Sequence, residues 1–153
     1  MKEIDYGRIS NYVKSSPDGS KILYSKYGYG NNQSLTWDVY YHDIDLKKNK
    51  RVTDSKRANN ACWSPDSRSI AFVSHKNSSS NLYKTSIENL NDVKRITNYS
   101  GDVQIVTPSW SPDGNSIAFA ISFGSPTRLR AIRDSISFFF FILPISDSGH
   151  IIA

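Results

Sequence analysis

A chain of 153 residues forms one domain and can bury a sizeable core. Its single cysteine, Cys62, excludes an internal disulfide and, beside Trp63, reads as a small core residue. The formal charge of +5 permits attraction to nucleic acid or acidic surfaces without requiring either.

Residues 1–10 read as a lead-in strand. Met1 to Tyr6 carry acidic residues and no apolar core of secretory length, so no signal peptide is expected and the cytoplasm is the default compartment. Without a secretory route, the glycosylation patterns at Asn32, Asn77 and Asn98 count as chance in a Ser- and Asn-rich chain.

Residues 11–54 form the first unit of a repeat. Ser15-Ser16-Pro17-Asp18-Gly19-Ser20-Lys21-Ile22-Leu23-Tyr24 is its weakest copy, with Ser15 where later copies have Trp. Ser-Pro-Asp-Gly is a turn with a mechanism: Pro sets φ, Asp suits the third position, and Gly takes the left-handed conformation at the end. The apolar strand Ile22-Leu23-Tyr24-Ser25 follows, then a long loop, Tyr27 to Ser34. Such insertions lie on one face of repeat proteins and often bind; an indifferent surface loop is the plainer reading. A third strand runs from Trp37 to Ile44, and a fourth from Lys50 to Thr53. Lys47, Lys48, Lys50 and Arg51 cluster at that outer strand, where charge protects an open sheet edge.

Residues 55–97 are the second unit. The block Trp63 to Phe72 carries Ser67 in place of the turn glycine, a left-handed side chain costing about 1 kcal/mol, so this turn is expected to be the weakest. Strands follow at Ile70 to Val73, Asn81 to Ile87 and Lys94 to Thr97, with Leu82-Tyr83 matching Val39-Tyr40. Pro17, Pro65 and Pro112 stand 48 and 47 residues apart, the spacing of a supersecondary unit that stacks on its neighbours.

Residues 98–123 are the first half of a third unit, with Trp110 to Phe119 repeating the block and Ile117 to Ala120 as its strand. A Tyr-containing strand is due about 17 residues after Pro112, by the second unit's spacing, but Thr127 to Asp134 is strongly basic and Phe138-Phe139-Phe140-Phe141-Ile142-Leu143 is apolar. The pattern stops near Phe123, and residues 124–153 form an atypical, irregular tail that is expected to lack the third and fourth strands. The change of composition is what a shifted reading frame or degraded gene leaves. The apolar run is too short for a bilayer, which takes about 20 such residues, so no membrane span is expected. As a β-prone, uncharged segment it is an aggregation hazard whose benign use is packing over the last blade's flank.

Four short strands per period describe a blade, so the fold class is all-β: a partial β-propeller of about three four-stranded blades. Trp-Ser-Pro-Asp-Gly-x-x-Ile-Ala-Phe, with Leu82-Tyr83 and Arg95-Ile96-Thr97 after it, resembles the TolB-like propeller repeat, a relative of the WD-repeat blade. The likeness covers about residues 11–122. It implies a disc of six or seven blades around a channel, used as a binding platform. Three blades leave two apolar flanks open, and three resolutions stay open with them: a truncated reading frame, a missing partner segment, or a homo-oligomer that closes the ring.

No enzyme chemistry is expected. His42, His75 and His150 are far apart, with no His-Glu-x-x-His or Cys-x-x-Cys, and Leu46-Lys47-Lys48 interrupts the calcium-like Asp43-Ile44-Asp45. Gly28-Tyr29-Gly30 lacks the third glycine of a dinucleotide loop, and no Gly-x-Ser-x-Gly elbow exists. Catalytic, cofactor-binding and metal-binding residues are therefore none, and no cofactor is expected. Asp18, Asp66 and Asp113 read as turn formers, and Trp63 and Trp110 as inter-blade packing. A protein or peptide is the expected partner and nucleic acid is not, for want of an aromatic and basic platform. The alternative function is the propeller portion of a prolyl-oligopeptidase-like enzyme, without its catalytic domain.

Overall fold

A computed structural model of the chain describes residues 7–10, 12–76, 78–123 and 138–145. Residues 1–6, on which the expectation about a signal peptide falls, lie outside the described residues, as do Asn11, Asn77 and the tail segments 124–137 and 146–153. All regular structure among the described residues is β, in three antiparallel sheets.

In the first sheet β1 (Arg8–Ile9) and β2 (Lys14–Ser15) both pair with β3 (Lys21–Tyr29), which is followed by β4 (Leu35–Asp43) and β5 (Lys48–Arg51). The two short strands are halves of one inner strand. The second sheet runs in order β6 (Ala58–Trp63), β7 (Ser69–Lys76), β8 (Ser79–Ser86) and β9 (Val93–Arg95). The third holds β10 (Val103–Trp110), β11 (Ser116–Phe123) and β12 (Phe138–Pro144). The inner strands β6 and β10 each slip register at the same place, between Asn59 and Cys62 and between Val106 and Ser109. Left-handed Asn60 and Thr107 sit in those bulges, which bend the strand and strengthen its twist.

Side chains alternate across each sheet, so each blade presents one face to the blade before and one to the blade after. Leu23, Val39 and Tyr41 of the first sheet meet Trp63, Ile70 and Phe72 of the second in one buried cluster. Ala71, Val73 and Leu82 meet Ile105, Ile117 and Phe119 of the third in another. Trp63 stands edge-on to Tyr41 with ring centroids 6.0 Å apart, and Trp110 lies half-buried at the second cluster under the Lys84 ammonium, 5.4 Å from its ring. Ser15, the substitute in the first copy, is exposed.

The tail departs from the sequence expectation. Its apolar run is a third strand, paired with β11 from Ser116↔Pro144 to Ser122↔Phe138. Phe141 stacks on Phe119 at 6.0 Å, as Tyr83 stacks on Phe72 and Tyr40 on Tyr24, both at 5.8 Å. Phe140-Phe141 therefore takes the place of Val39-Tyr40 and Leu82-Tyr83. It stands 28 residues after Pro112, beyond the window in which spacing alone would place it. The strand is not packed across the flank: Leu143 joins the second cluster, while Phe140 and Ile142 point away and are 82% and 72% exposed.

Candidate functional site

The propeller segment has two ends. At one lie the Ser-Pro-Asp turns, and at the other the β3–β4 and β7–β8 hairpins with the connectors between blades.

The turn end is built from three copies of one hydrogen-bond circuit. Ser64 Oγ accepts from Ser69 N at 2.8 Å and donates to Asp66 Oδ1 at 2.5 Å, and Asp66 Oδ1 also accepts from Arg68 N at 3.0 Å. Ser16 and Asp18 repeat this, as do Ser111 and Asp113. The Ser16 hydroxyl and the Ser20 amide hold the Asp18 carboxyl at about 2, and the equivalent donors lower Asp66 and Asp113. The three carboxylates are committed to their own turns and do not converge as an acid and base pair. Gly19 and Gly114 have φ of 72° and 75°, and Ser67 adopts 61° in their place. Ser67 is more than a strained stand-in, because its buried hydroxyl accepts from Asp18 N of the preceding blade at 3.1 Å. That link between blades offsets the weakness the sequence assigns to this turn.

A second repeated circuit escaped the sequence reading. Thr53 Oγ1 accepts from Val39 N at 2.9 Å and donates to buried Asp38 at 2.7 Å. Arg51 closes the loop, with Nε on Thr53 O at 2.9 Å and the guanidinium on Asp38 at 2.7 Å. In the second blade Thr97 bonds Leu82 N and Asn81, and Arg95 Nε reaches Thr97 O at 2.8 Å. Arg51 thus ties the outer strand to the third through Asp38, whereas Arg95 braces Thr97, whose hydroxyl makes the tie to Asn81 and Leu82. The signal was present as Arg-x-Thr, preceded by Asp or Asn at the start of Asp38-Val39-Tyr40 and Asn81-Leu82-Tyr83.

Between the hairpins and the connectors lies a cleft of about 870 Å³. The long loop of the sequence is shorter than expected, since β3 and β4 stay paired out to Tyr29↔Leu35 and only Gly30 to Ser34 turn the chain. The tip is pinned to the connector: Asn31 N donates to Asp54 Oδ1 at 2.9 Å and Ser55 Oγ to Asn32 Oδ1 at 2.8 Å. Any Cβ at Gly30 would lie 1.9 Å from Ser55 Oγ, so only glycine permits this approach. The extended hairpin raises Tyr27 and Trp37 as one wall, with ring centroids 5.4 Å apart and the Arg8 guanidinium over both. Asn59, His75 and Gln104 form the opposite wall. His75 Nε2 lies 3.3 Å from Asn59 Oδ1, and Gln104 Nε2 donates to Ser78 O at 2.7 Å. Burial first, and then Arg57, lower the His75 pKa, which keeps the ring neutral near pH 7.

The three histidines do not meet. His42 bonds Asn49 at the turn end, His75 lines the cleft, and His150 lies outside the described residues. Among the described residues no group of His, Cys, Asp and Glu is placed to hold a metal, and no helix is long and apolar enough to cross a membrane. Asp43 accepts from Leu46 N, a turn role. Cys62 is buried in the second cluster and its thiol is pushed up to about 12 by that burial.

Comparison with known proteins follows the same lines. A protein assigned as TolB from Agrobacterium tumefaciens superposes with a TM-score of 0.68 at 23% identity, over 95% of this chain and 48% of that one. TolB from Acinetobacter baumannii gives 0.60 at 24% identity, over 87% and 29%. The acylaminoacyl peptidase of Pyrococcus horikoshii gives 0.65 at 14%, over 97% and 24%. The chain thus spans about half the length of the first of these and less of the others. No curated protein matches it by sequence. Residues 9–127 match the TolB beta propeller domain, and with its blades, inter-blade tryptophans and Ser-Pro-Asp turns this chain belongs to that family.

Proposed function

We propose that the chain is a non-enzymatic TolB-like propeller segment that offers its hairpin-end cleft to a peptide or protein partner. The pinned β3–β4 hairpin carries this reading. Its glycine contact and its bonds to the connector hold Tyr27 and Trp37 rigidly against a polar wall, and a preformed cleft of mixed apolar and polar lining is what a ligand site requires. Display of a random peptide library against the full chain tests it. Enriched peptides are expected to bind the parent and to lose about tenfold in affinity on Trp37→Ser, a loss typical of an aromatic anchor. No enrichment, or binding indifferent to Trp37, overturns it.

The likeness to an acylaminoacyl peptidase supports a second reading, a propeller portion that accompanies a separate hydrolase domain. The coding sequence downstream separates the two, since a Gly-x-Ser-x-Gly elbow there favours the peptidase and further Ser-Pro-Asp-Gly repeats favour the platform. Six blades closed by two copies of the chain is the assembly that outward Phe140 and Ile142 support, and sedimentation of the purified protein decides it.

A further inference from the structure

Cations outnumber carboxylates on the lining of the hairpin-end cleft. The turn end mixes signs, with Asp18, Asp66 and Asp43 beside Lys21, Arg68 and Lys48. At the hairpin end the exposed cations Arg57 and Lys76 stand on the cleft, with exposed Lys56 next to Arg57 and Arg8 over the aromatic wall. Three carboxylates share that end among the described residues, and buried Asp38 is taken up by Arg51, Thr53 and the amides of Ser55 and Lys56. Asp54 is occupied by Arg51 at 3.2 Å and by Asn31 N, which leaves Asp102 at the rim.

We infer that the cleft selects an acidic peptide segment in extended form. This deepens the platform reading and rests on it. Carboxylates of the peptide face Arg57 and Lys76, whose field also draws the segment in from solution. Beyond their internal bonds, the Asn59 and Gln104 amides keep further donor capacity and the Ser34 and Ser55 oxygens can still accept, as a peptide main chain requires. Apolar side chains of the same segment rest against the Tyr27 and Trp37 wall. A single-stranded nucleic acid fits less well, because those rings pack on each other at an interplanar angle of 51° beneath Arg8 and do not offer successive open faces for bases.

The test uses the full chain and three labelled probes read by fluorescence anisotropy. They are a short peptide alternating Glu with Ser and Leu, its Gln-for-Glu analogue, and a single-stranded DNA of matched length. The acidic peptide is expected to bind about tenfold tighter than the analogue at low salt, with the gap closing as salt screens exposed charge. Arg57→Gln with Lys76→Gln weakens it about fivefold to tenfold, and Lys48→Gln at the turn end leaves it within about twofold. Asp102→Asn tightens it about twofold to threefold, a gain that a folding defect cannot mimic. Equal binding of the two peptides, or no response to Asp102→Asn, overturns the acidic preference and leaves the platform standing. Binding of neither peptide overturns both, and DNA bound more tightly than the acidic peptide overturns a peptide as the occupant.

Discussion

The second and third blades open with nearly the same ten residues, yet their outer halves differ. In the second blade β8 lies in the sheet between β7 and β9, with Leu82 buried toward the next blade and Thr97, braced by Arg95, bonded across to Asn81 and Leu82. In the third, β12 repeats the aromatic stack but sends Phe140 and Ile142 outward, and Phe139 stands where Asn81 would make the lock. The Trp-Ser-Pro-Asp block thus specifies the two inner strands and their contact with the blade before. The outer half obeys a separate code of Asp or Asn with Arg-x-Thr, and a blade can carry the first without the second.

The largest expected effect falls on the contact that the block specifies. Trp63→Ala should cost about 3–5 kcal/mol in denaturant melts, as truncation of a large buried aromatic does, and half-buried Trp110→Ala less. Equal small losses at both positions would mean that the block does not anchor the inter-blade contact.

Exchange of the lock residues between blades comes next. Asp38→Asn copies the second blade into the first and gives up a charged bond to Arg51, at about 1.5–3 kcal/mol. Asn81→Asp should cost more, because Asn81 Nδ2 donates to Tyr99 O at 3.0 Å and a carboxylate would face that carbonyl. The reverse order of losses would show that the two locks are not equivalent.

Ser67 sharpens the comparison of turns. Ser67→Ala keeps the left-handed strain and loses the bond to Asp18 N, so about 1 kcal/mol is expected. Ser67→Gly loses the bond but relieves the strain and should stay close to the parent. A Gly variant clearly more stable than the parent would show that the bond between blades contributes nothing.

Acid probes the same turns. The folded Asp18 carboxyl titrates at about 2 against an ordinary 3.8, so its contribution is full above about pH 4 and disappears as pH falls through 2. Stability that fails to decline across that window would mean that the serine and amide donors do not hold the carboxylate. The smallest effect belongs to the outward face of β12. Phe140→Ser with Ile142→Ser should change unfolding free energy by less than about 0.5 kcal/mol while reducing self-association on sizing columns. Deleting the whole run, the natural choice had it been a loose tail, would instead remove the partner strand of β11.

What the sequence determined by itself was the repeat, the all-β blades, the Asp turns and the inter-blade role of the tryptophans. These are local or periodic: a Ser-Pro-Asp-Gly turn bonds within its own short loop, and alternation along a strand assigns its faces without a partner. The tertiary structure alone decided four things. Phe138–Pro144 became a strand because β11 offered an unpaired edge and an aromatic to stack on, which no spacing rule encodes. Ser67 found Asp18 of another blade, 49 residues away. Asp38 joined Arg51 and Thr53 only when the hairpin folded them side by side. The cleft gathers Tyr27 and Trp37 of the first blade, His75 of the second and Gln104 of the third, groups whose nearness arises from packing three sheets around one axis and is invisible in the order of the chain.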